Sequence, residues 1–228
     1  MPTATTKKRI YFIRHGQSVG NLQQVFQNAD DPLSEVGTIQ AKIVARKARS
    51  FNADVILSSP MIRAYQTAET IQSVTKLPLE IIETLHEYRA PSKLWNKSVV
   101  SPESDNFYKE ILAHLHVPGW HYEDEENYTD LHTRAQSLLT DLADRKEKTI
   151  IAVTHGAFMR ILLATMMTEG SADALTAIRL VRFLSQKNTG VTSCEYSPES
   201  QMGNKWRLVA WNDYSHLDTL TSEPFPFF

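Results

Sequence analysis

Two short motifs, each a histidine followed by glycine, stand directly after apolar runs of the chain. Arg14-His15-Gly16 follows the apolar run 10–13, and Thr154-His155-Gly156 follows the apolar run 150–153. An unprotonated histidine nitrogen is a nucleophile, and a neighbouring arginine offers a planar fork of donors that fits phosphate oxygens. The two motifs therefore indicate transfer of a phosphoryl group, a reaction that depends on positioning and on stabilisation of negative charge.

Two segments between these motifs supply further candidates. Ser59-Pro60 precedes a helical pattern that carries Arg63 in its first turn, where a helix N-terminus and a guanidinium can bind an anion together. The reaction also needs an acid that protonates a leaving alkoxide, and Glu83 and Glu87 are acidic residues that could supply that proton. Both segments contribute side chains that the same reaction requires.

The composition fits one globular domain. A chain of 228 residues with 42% hydrophobic content can build one large core. The net charge of −2 gives the whole molecule no attraction for nucleic acid or an anionic membrane, so an anion site must come from local cations. Cys194 is the one cysteine, residues 1–9 lack an apolar signal-like run, and no run approaches membrane-spanning length. We expect a cytoplasmic protein.

Hydrophobic periodicity predicts alternating strands and helices, with Ser34 and Ser59 as N-caps. This alternation predicts an α/β fold, a three-layer α/β/α sandwich with a mostly parallel central sheet. Ligands bind such sheets at the carboxyl ends of the strands, where both His-Gly pairs fall. Strands are expected over 9–14, 54–57, 79–82, 149–153, 190–196 and 206–211. Helices are expected near 18–26, from 34 to about 50, from 60 onward, over 129–145, from 157 to about 167 and over 172–184.

Residues 88–128 interrupt this alternation. They combine prolines, aromatic residues and the acidic run 123–126, which is typical of an insertion. We predict that this segment is a cap inserted into a single catalytic domain of residues 1–228. The apolar run 224–228 has three interpretations: it packs on the domain, it is disordered, or it docks a partner.

The run from Arg14 to Asn21 resembles the signature of the histidine phosphatase superfamily, also called the phosphoglycerate mutase-like family. The pattern Ser-x-x-x-Arg-Ala-x-x-Thr-Ala over 59–68, the pair His155-Gly156 and the acidic Glu87 are similar to the same family. The matching pieces span roughly 9–87 and 149–217. Residues 88–95 depart from the Trp-Glu-Gly pattern of the phosphatase branch, so the resemblance does not identify the substrate.

The resemblance implies a role for each matching residue. His15 would be the phosphorylated nucleophile, Glu87 the acid, and His155 the group that stabilises the transferring charge. It implies no metal, no cofactor and a small phosphorylated substrate as the partner. We expect neither nucleic acid nor a membrane as a partner, and the sequence does not predict the oligomeric state. The other implied site residues are the phosphate ligands Arg14, Arg63 and Asn21, the motif residues Gln17 and Ser18 as substrate contacts, and Gly156 as a backbone donor.

These residues predict a metal-independent phosphomonoester hydrolase with a phosphohistidine intermediate. One alternative is a mutase of the phosphoglycerate type, which returns the phosphoryl group to a sugar-acid hydroxyl instead of water. A second alternative is a non-catalytic module that binds phosphorylated ligands. Such a module would have lost a nucleophile or an acid, whereas both His15 and Glu87 are present.

Overall fold

Six strands form one sheet in the computed structural model, which describes residues 6–117, 119–200 and 204–220. The strands are β1 Lys8–Arg14, β2 Val55–Ser58, β3 Leu79–Ile81, β4 Thr149–Thr154, β5 Val191–Tyr196 and β6 Trp206–Asp213. Their order across the sheet is β3-β2-β4-β1-β5-β6. The pairs from β3 to β1 are parallel, while β5 runs antiparallel to both of its neighbours. The mostly parallel sheet that the sequence predicts is confirmed.

Helices cover both faces of the sheet. They are α1 Val19–Gln23, α2 Glu35–Ala48, α3 Ile62–Thr75, α4 Pro102–His114, α5 Tyr128–Asp144, α6 Gly156–Met167 and α7 Ala174–Phe183. Strand β1 shows why two helical layers are needed: Ile10 and Phe12 pack in the core with α5 and α6, whereas Ile13 packs in the core with α2 and α3. Alternate side chains of a strand point to opposite faces, so both faces must be buried. The predicted α/β/α sandwich is confirmed.

The helix starts agree with the sequence only in part. Ser34 is the N-cap of α2, and its Oγ accepts the Gly37 N–H at 3.0 Å. The prediction that Ser59 caps α3 is wrong, because residues 60 and 61 stay outside the helix. Ser59 Oγ instead accepts the Met61 N–H at 3.2 Å and lies 2.8 Å from the ring of His155.

The segment 88–128 holds a helix that the sequence pattern did not predict, α4, together with a 3-10 turn at Ser92–Leu94. It has its own apolar cluster, built from Phe26, Ala90, Leu94 and Phe107. The predicted helix near 18–26 ends at Gln23 because the next residue is left-handed, and the chain then pairs with this segment through isolated bridges. The apolar run 224–228 lies outside the described residues. In the part of the chain that is described, no helix has the length and apolar character to cross a membrane.

The N-terminus of α2 packs directly on the loop that follows β1. A Cβ on Gly37 would lie 1.9 Å from the carbonyl oxygen of Gln17, and a Cβ on Gly16 would lie 2.5 Å from the carbonyl oxygen of Gly37. No side chain fits between these two backbone segments. The loop that carries His15 is therefore held against α2 by backbone contact.

Gly37→Ala should lower the free energy of unfolding by about 3 kcal/mol, because one of the two backbone segments has to move. Urea unfolding followed by circular dichroism measures the change. Ile39→Ala, on the same helix with the side chain 47% exposed, is the control and should change stability by about 0.5 kcal/mol or less. Equal losses in the two variants would contradict the close packing at Gly37.

Candidate active site

The two histidines meet because of the register between β1 and β4. Arg14 is the partner of Thr154 in this parallel pair, so the next residues, His15 and His155, leave the sheet side by side. Their ring centroids are 5.0 Å apart, and both rings are buried. The structure thus brings the two predicted histidines together at the carboxyl edge of the sheet.

His15 is held in one tautomer. Its Nδ1 lies 2.6 Å from the carbonyl oxygen of Gly16, and a carbonyl can only accept, so Nδ1 carries the proton and donates. Burial lowers the pKa of His15 well below its usual value, and the charges of Arg63 and Arg14 lower that pKa further. The ring is therefore neutral near pH 7, and its Nε2 keeps a lone pair for attack.

The backbone around His15 is fixed by parts of the chain that are distant in sequence. The His15 N–H donates to Thr154 O at 3.0 Å, and the Gly16 N–H donates to Thr67 Oγ1 at 3.1 Å. Asn188 Nδ2 donates to His15 O at 3.1 Å. Nothing in the sequence motifs pointed to Asn188, because its role depends on the antiparallel strand β5 that begins just after it.

Among the described residues, the side chain of His155 forms a hydrogen bond with Ser59 alone. Ser59 Oγ already accepts the Met61 N–H, so its own proton can be donated to His155 Nε2, 2.8 Å away. Burial, followed by the charge of Arg63, lowers the pKa of His155 well below its usual value. A neutral ring that accepts at Nε2 carries its proton on Nδ1, which makes Nδ1–H a donor to a bound anion.

Arg14 and Arg63 are anchored by backbone carbonyl groups. Arg14 Nη1 donates to Gln186 O, and Arg63 Nη1 donates to Asn28 O at 2.8 Å. Burial lowers the pKa of Arg14 to about 10, and burial also lowers the pKa of Arg63, while the nearby charge of Glu87 opposes both shifts. With a pKa of about 10, Arg14 remains a cation at neutral pH.

Three buried polar atoms of this site have no hydrogen-bond partner among the described residues. They are Arg14 Nε, Arg63 Nε and His155 Nδ1. Each unpaired buried donor costs roughly 1–3 kcal/mol, so native proteins rarely keep several in one place without a function. A ligand with several anionic oxygens would satisfy all three.

Glu87 caps the N-terminus of α6. Its Oε1 accepts the Phe158 N–H at 2.8 Å and the Tyr88 N–H at 2.9 Å, and its Oε2 accepts the Ala157 N–H at 3.1 Å. These bonds hold the carboxylate beside the second histidine motif. Glu83 is exposed in the 3-10 turn Glu83–Leu85, so the geometry favours Glu87 over Glu83 as the acid of this site.

Gly156 allows Arg14 to pack against the start of α6. A Cβ at Gly156 would lie 3.3 Å from Arg14 Nε, which is tighter than most side-chain contacts. One turn later, Arg160 Nε donates to Gly156 O at 2.9 Å, and its Nη1 donates to Val181 O at 2.7 Å. The charge of Arg160 lowers the pKa of Arg14. Burial lowers the pKa of Arg160 itself, and the charge of Glu87 opposes that shift. Sequence reasoning missed Arg160, although its spacing of four residues from Gly156 on a helix was the available signal.

The three remaining motif residues bond to side chains within and around the loop that carries His15. Ser18 is fully buried, donates from Oγ to Gln27 Oε1 at 2.6 Å and caps α1. Gln17 Oε1 accepts from Ser34 Oγ at 2.9 Å, and Asn21 Oδ1 accepts from Asn188 Nδ2 at 3.2 Å. These bonds support the loop that carries His15. Contact of these three residues with substrate stays a prediction.

The chain is similar to proteins of one known family. The sequence pattern of the histidine phosphatase superfamily (branch 1) matches residues 10–214. The chain belongs to this superfamily. The match runs from the first strand to beyond β6, so it includes every residue of the site and the segment 88–128. Across residues 6–117, 119–200 and 204–220, no group of three or more His, Cys, Asp or Glu side chains is arranged to hold a metal ion.

Individual relatives carry names of two kinds. The "Putative phosphoserine phosphatase 2" of Hydrogenobacter thermophilus is 28% identical over 223 residues, which cover 94% of this chain and 100% of that protein. The "Probable phosphoglycerate mutase GpmB" of Yersinia pestis is 26% identical over 214 residues, which cover 92% of this chain and 95% of that protein. The solved structure of YhfR from Bacillus stearothermophilus superposes with a TM-score of 0.76 at 24% identity, covering 92% of this chain and 99% of that one. That superposition supports the fold.

The buried histidines should make the protein less stable as the pH falls. Their pKa values are lowered in the folded state, so below about pH 6.5 the unfolded chain binds protons that the folded site does not. The free energy of unfolding should therefore fall by up to about 1.4 kcal/mol per pH unit for each ring.

Urea unfolding between pH 7.5 and pH 5 measures this slope. His155→Gln should make the slope shallower than that of the wild-type protein, whereas His116→Gln, at an exposed position, should leave it unchanged. A slope that is the same in wild type and His155→Gln would show that His155 does not contribute.

Proposed function

We propose that this protein hydrolyses phosphomonoesters through a phosphohistidine intermediate on His15. The observation that carries the proposal is the cluster of three buried, unpartnered donors on Arg14, Arg63 and His155, beside an imidazole whose Nε2 lone pair is available. A phosphoryl group has several anionic oxygens for those donors and an electrophilic phosphorus for Nε2. Catalysis of its transfer needs mainly such positioning and charge stabilisation.

The reaction proceeds in two displacements. His15 Nε2 attacks the phosphorus, the bond from phosphorus to the ester oxygen breaks, and Glu87 gives a proton to the departing oxygen. Water then attacks the phosphohistidine, Glu87 takes the proton from that water, and the bond to Nε2 breaks to release inorganic phosphate. Arg14, Arg63 and His155 hold the phosphoryl oxygens in both steps.

The remaining parts of the proposal concern the surroundings of this centre. Asn21 is a further phosphate ligand, and the backbone N–H of Gly156 donates to the same group at the start of α6. Residues 1–228 form one catalytic domain in which 88–128 are the cap. The arginines supply the positive charge, and the arginines and His155 supply the donors, so the reaction requires no metal and no cofactor. The partner is a small phosphorylated molecule.

A mutase would use the same intermediate with a different acceptor. The names of the relatives include both a phosphatase and a mutase. The acceptor decides between the two activities: hydrolysis releases inorganic phosphate, whereas a mutase isomerises 3-phosphoglycerate without net release. We favour water as the acceptor, because the cavity next to Glu87 described below is mostly apolar and unsuited to a sugar acid.

His15→Ala should lower turnover of p-nitrophenyl phosphate by about 10⁴-fold or more, because the nucleophile is lost. Phosphate release and the circular dichroism spectrum are measured together, and the fold should remain. The wild-type protein should also trap an acid-labile phosphoryl label that His15→Ala does not. His116→Ala is the exposed control and should keep both activity and labelling. Wild-type activity in His15→Ala would refute the mechanism.

Glu87→Gln should slow alkyl phosphates far more than p-nitrophenyl phosphate. An alkoxide needs a proton to leave, and general acid catalysis contributes roughly 10²–10⁴-fold, whereas p-nitrophenolate leaves without protonation. The ratio of kcat/KM for the two substrates measures this difference. Glu83→Gln, four residues earlier and exposed, is the matched control and should keep the wild-type ratio. An equal loss on both substrates would show that Glu87 is not the acid.

A further inference from the structure

We propose that a cavity beside Glu87 binds the organic part of the substrate, and that the preferred substrates are phosphomonoesters of alcohols with an aryl or extended alkyl group. This inference rests on the proposed phosphatase function and specifies its substrate class.

The cavity has a volume of about 550 Å³ and lies between the cap helix α4, the start of α5, and helices α6 and α7. Its walls are mainly apolar and aromatic. Phe107, Tyr108 and Ile111 contribute from α4, and Ile178 and Val181 contribute from α7. Sites for organic ligands are typically concave and apolar with a few fixed polar groups, and this cavity is large enough for a substituted aromatic ring.

The cavity adjoins the reaction centre through residues that hold Glu87. Both oxygens of the Glu87 carboxylate accept backbone N–H groups of residues that line the cavity: Tyr88 at 2.9 Å and Ala157 at 3.1 Å. Arg160 lines the cavity as well, and it is close enough to Glu87 for the carboxylate charge to oppose the lowering of the Arg160 pKa by burial. The acid must contact the ester oxygen, which joins the phosphorus to the leaving group. The leaving group therefore begins next to Glu87, at the wall of this cavity.

The buried acidic groups of the wall are already committed to other protein groups. Glu125 accepts from the hydroxyl of Tyr88 at 2.6 Å, and Glu126 accepts two bonds from Arg134, at 2.6 Å and 2.7 Å. The hydroxyl of Tyr128 donates to a backbone carbonyl. The wall also contains Arg182 and Arg160, and Arg160 already donates to two backbone carbonyl groups. Because most of the wall is apolar, an occupant gains affinity mainly from apolar contact, which favours an aryl or alkyl group over a small polar hydroxy acid.

Two alkyl phosphates of matched chemistry test the inference: ethyl phosphate and 2-phenylethyl phosphate. Both release a primary alcohol of similar acidity, so the chemical step is comparable and the ratio of their kcat/KM values reports binding of the phenyl group. We expect 2-phenylethyl phosphate to be preferred by about 10-fold or more.

Variants then place this preference in the cavity. Ile178→Asn should reduce the preference several-fold, because it puts a polar amide in the apolar wall. Leu175→Asn, on the same helix but 45% exposed and outside the wall, is the matched control and should keep the preference within about two-fold. Ile111→Asn on the opposite wall is the second variant if Ile178→Asn loses its circular dichroism spectrum.

Binding of the non-hydrolysable ethyl and 2-phenylethyl phosphonates, measured by calorimetry, separates this inference from the proposed function. Tighter binding of 2-phenylethyl phosphonate that weakens in Ile178→Asn supports the cavity even if no ester is turned over. Turnover of both esters with no preference, together with equal binding of both phosphonates, overturns the inference and leaves the phosphatase proposal intact. The cavity would then belong to another occupant, such as an apolar segment of a partner.

Discussion

The parallel pairing of β1 with β4 is the constraint on which the site depends. Its register sets Arg14 opposite Thr154. The two imidazoles are therefore neighbours, and helix α6, which follows β4, starts beside the Arg14 guanidinium. A slip of one residue would turn one of the histidines to the other face of the sheet. The register is secured by burial on both faces, since Ile10 and Ile150 pack in one core while Ile13 and Val153 pack in the other.

The site is costly for the folded protein in its unliganded form. Two neutral imidazoles and the Arg63 guanidinium are buried together beside the half-buried Arg14, and three nitrogens of these groups lack partners in the described part of the chain. The carboxylate of Glu87 offsets part of this positive charge. It is bonded to the N-terminus of α6 and forms no ion pair with another described residue. An anion that binds the folded state alone would repay the cost and stabilise the protein. The unpaired donors and the positive charge that would bind the anion are thus the same groups that make the site costly for the folded protein.

The sequence was sufficient for the framework and for the centre of the site. The apolar runs before His15 and His155 predicted the two central strands, and the parallel alternation predicted that their ends meet. Two features escaped prediction. Helix α4 lies in a segment whose prolines and aromatic residues suggested an irregular insertion. Asn188 contacts His15 only because β5 pairs antiparallel with β1. Ser59 was misassigned because a Ser-Pro pair suggests a cap, whereas in the fold its hydroxyl serves the ring of His155.

The residues just before β5 close the site around β1. Gln186 O accepts from Arg14, Asn188 donates to the backbone of His15, and the Thr189 N–H donates to Arg14 O. These contacts join positions more than 170 residues apart, since the Asn188 bond to His15 spans 173. Contacts of such long range form late when a chain folds. During translation, the segment that carries Arg14 and His15 is therefore made well before residues 186–189, and the site stays incomplete until those residues have emerged.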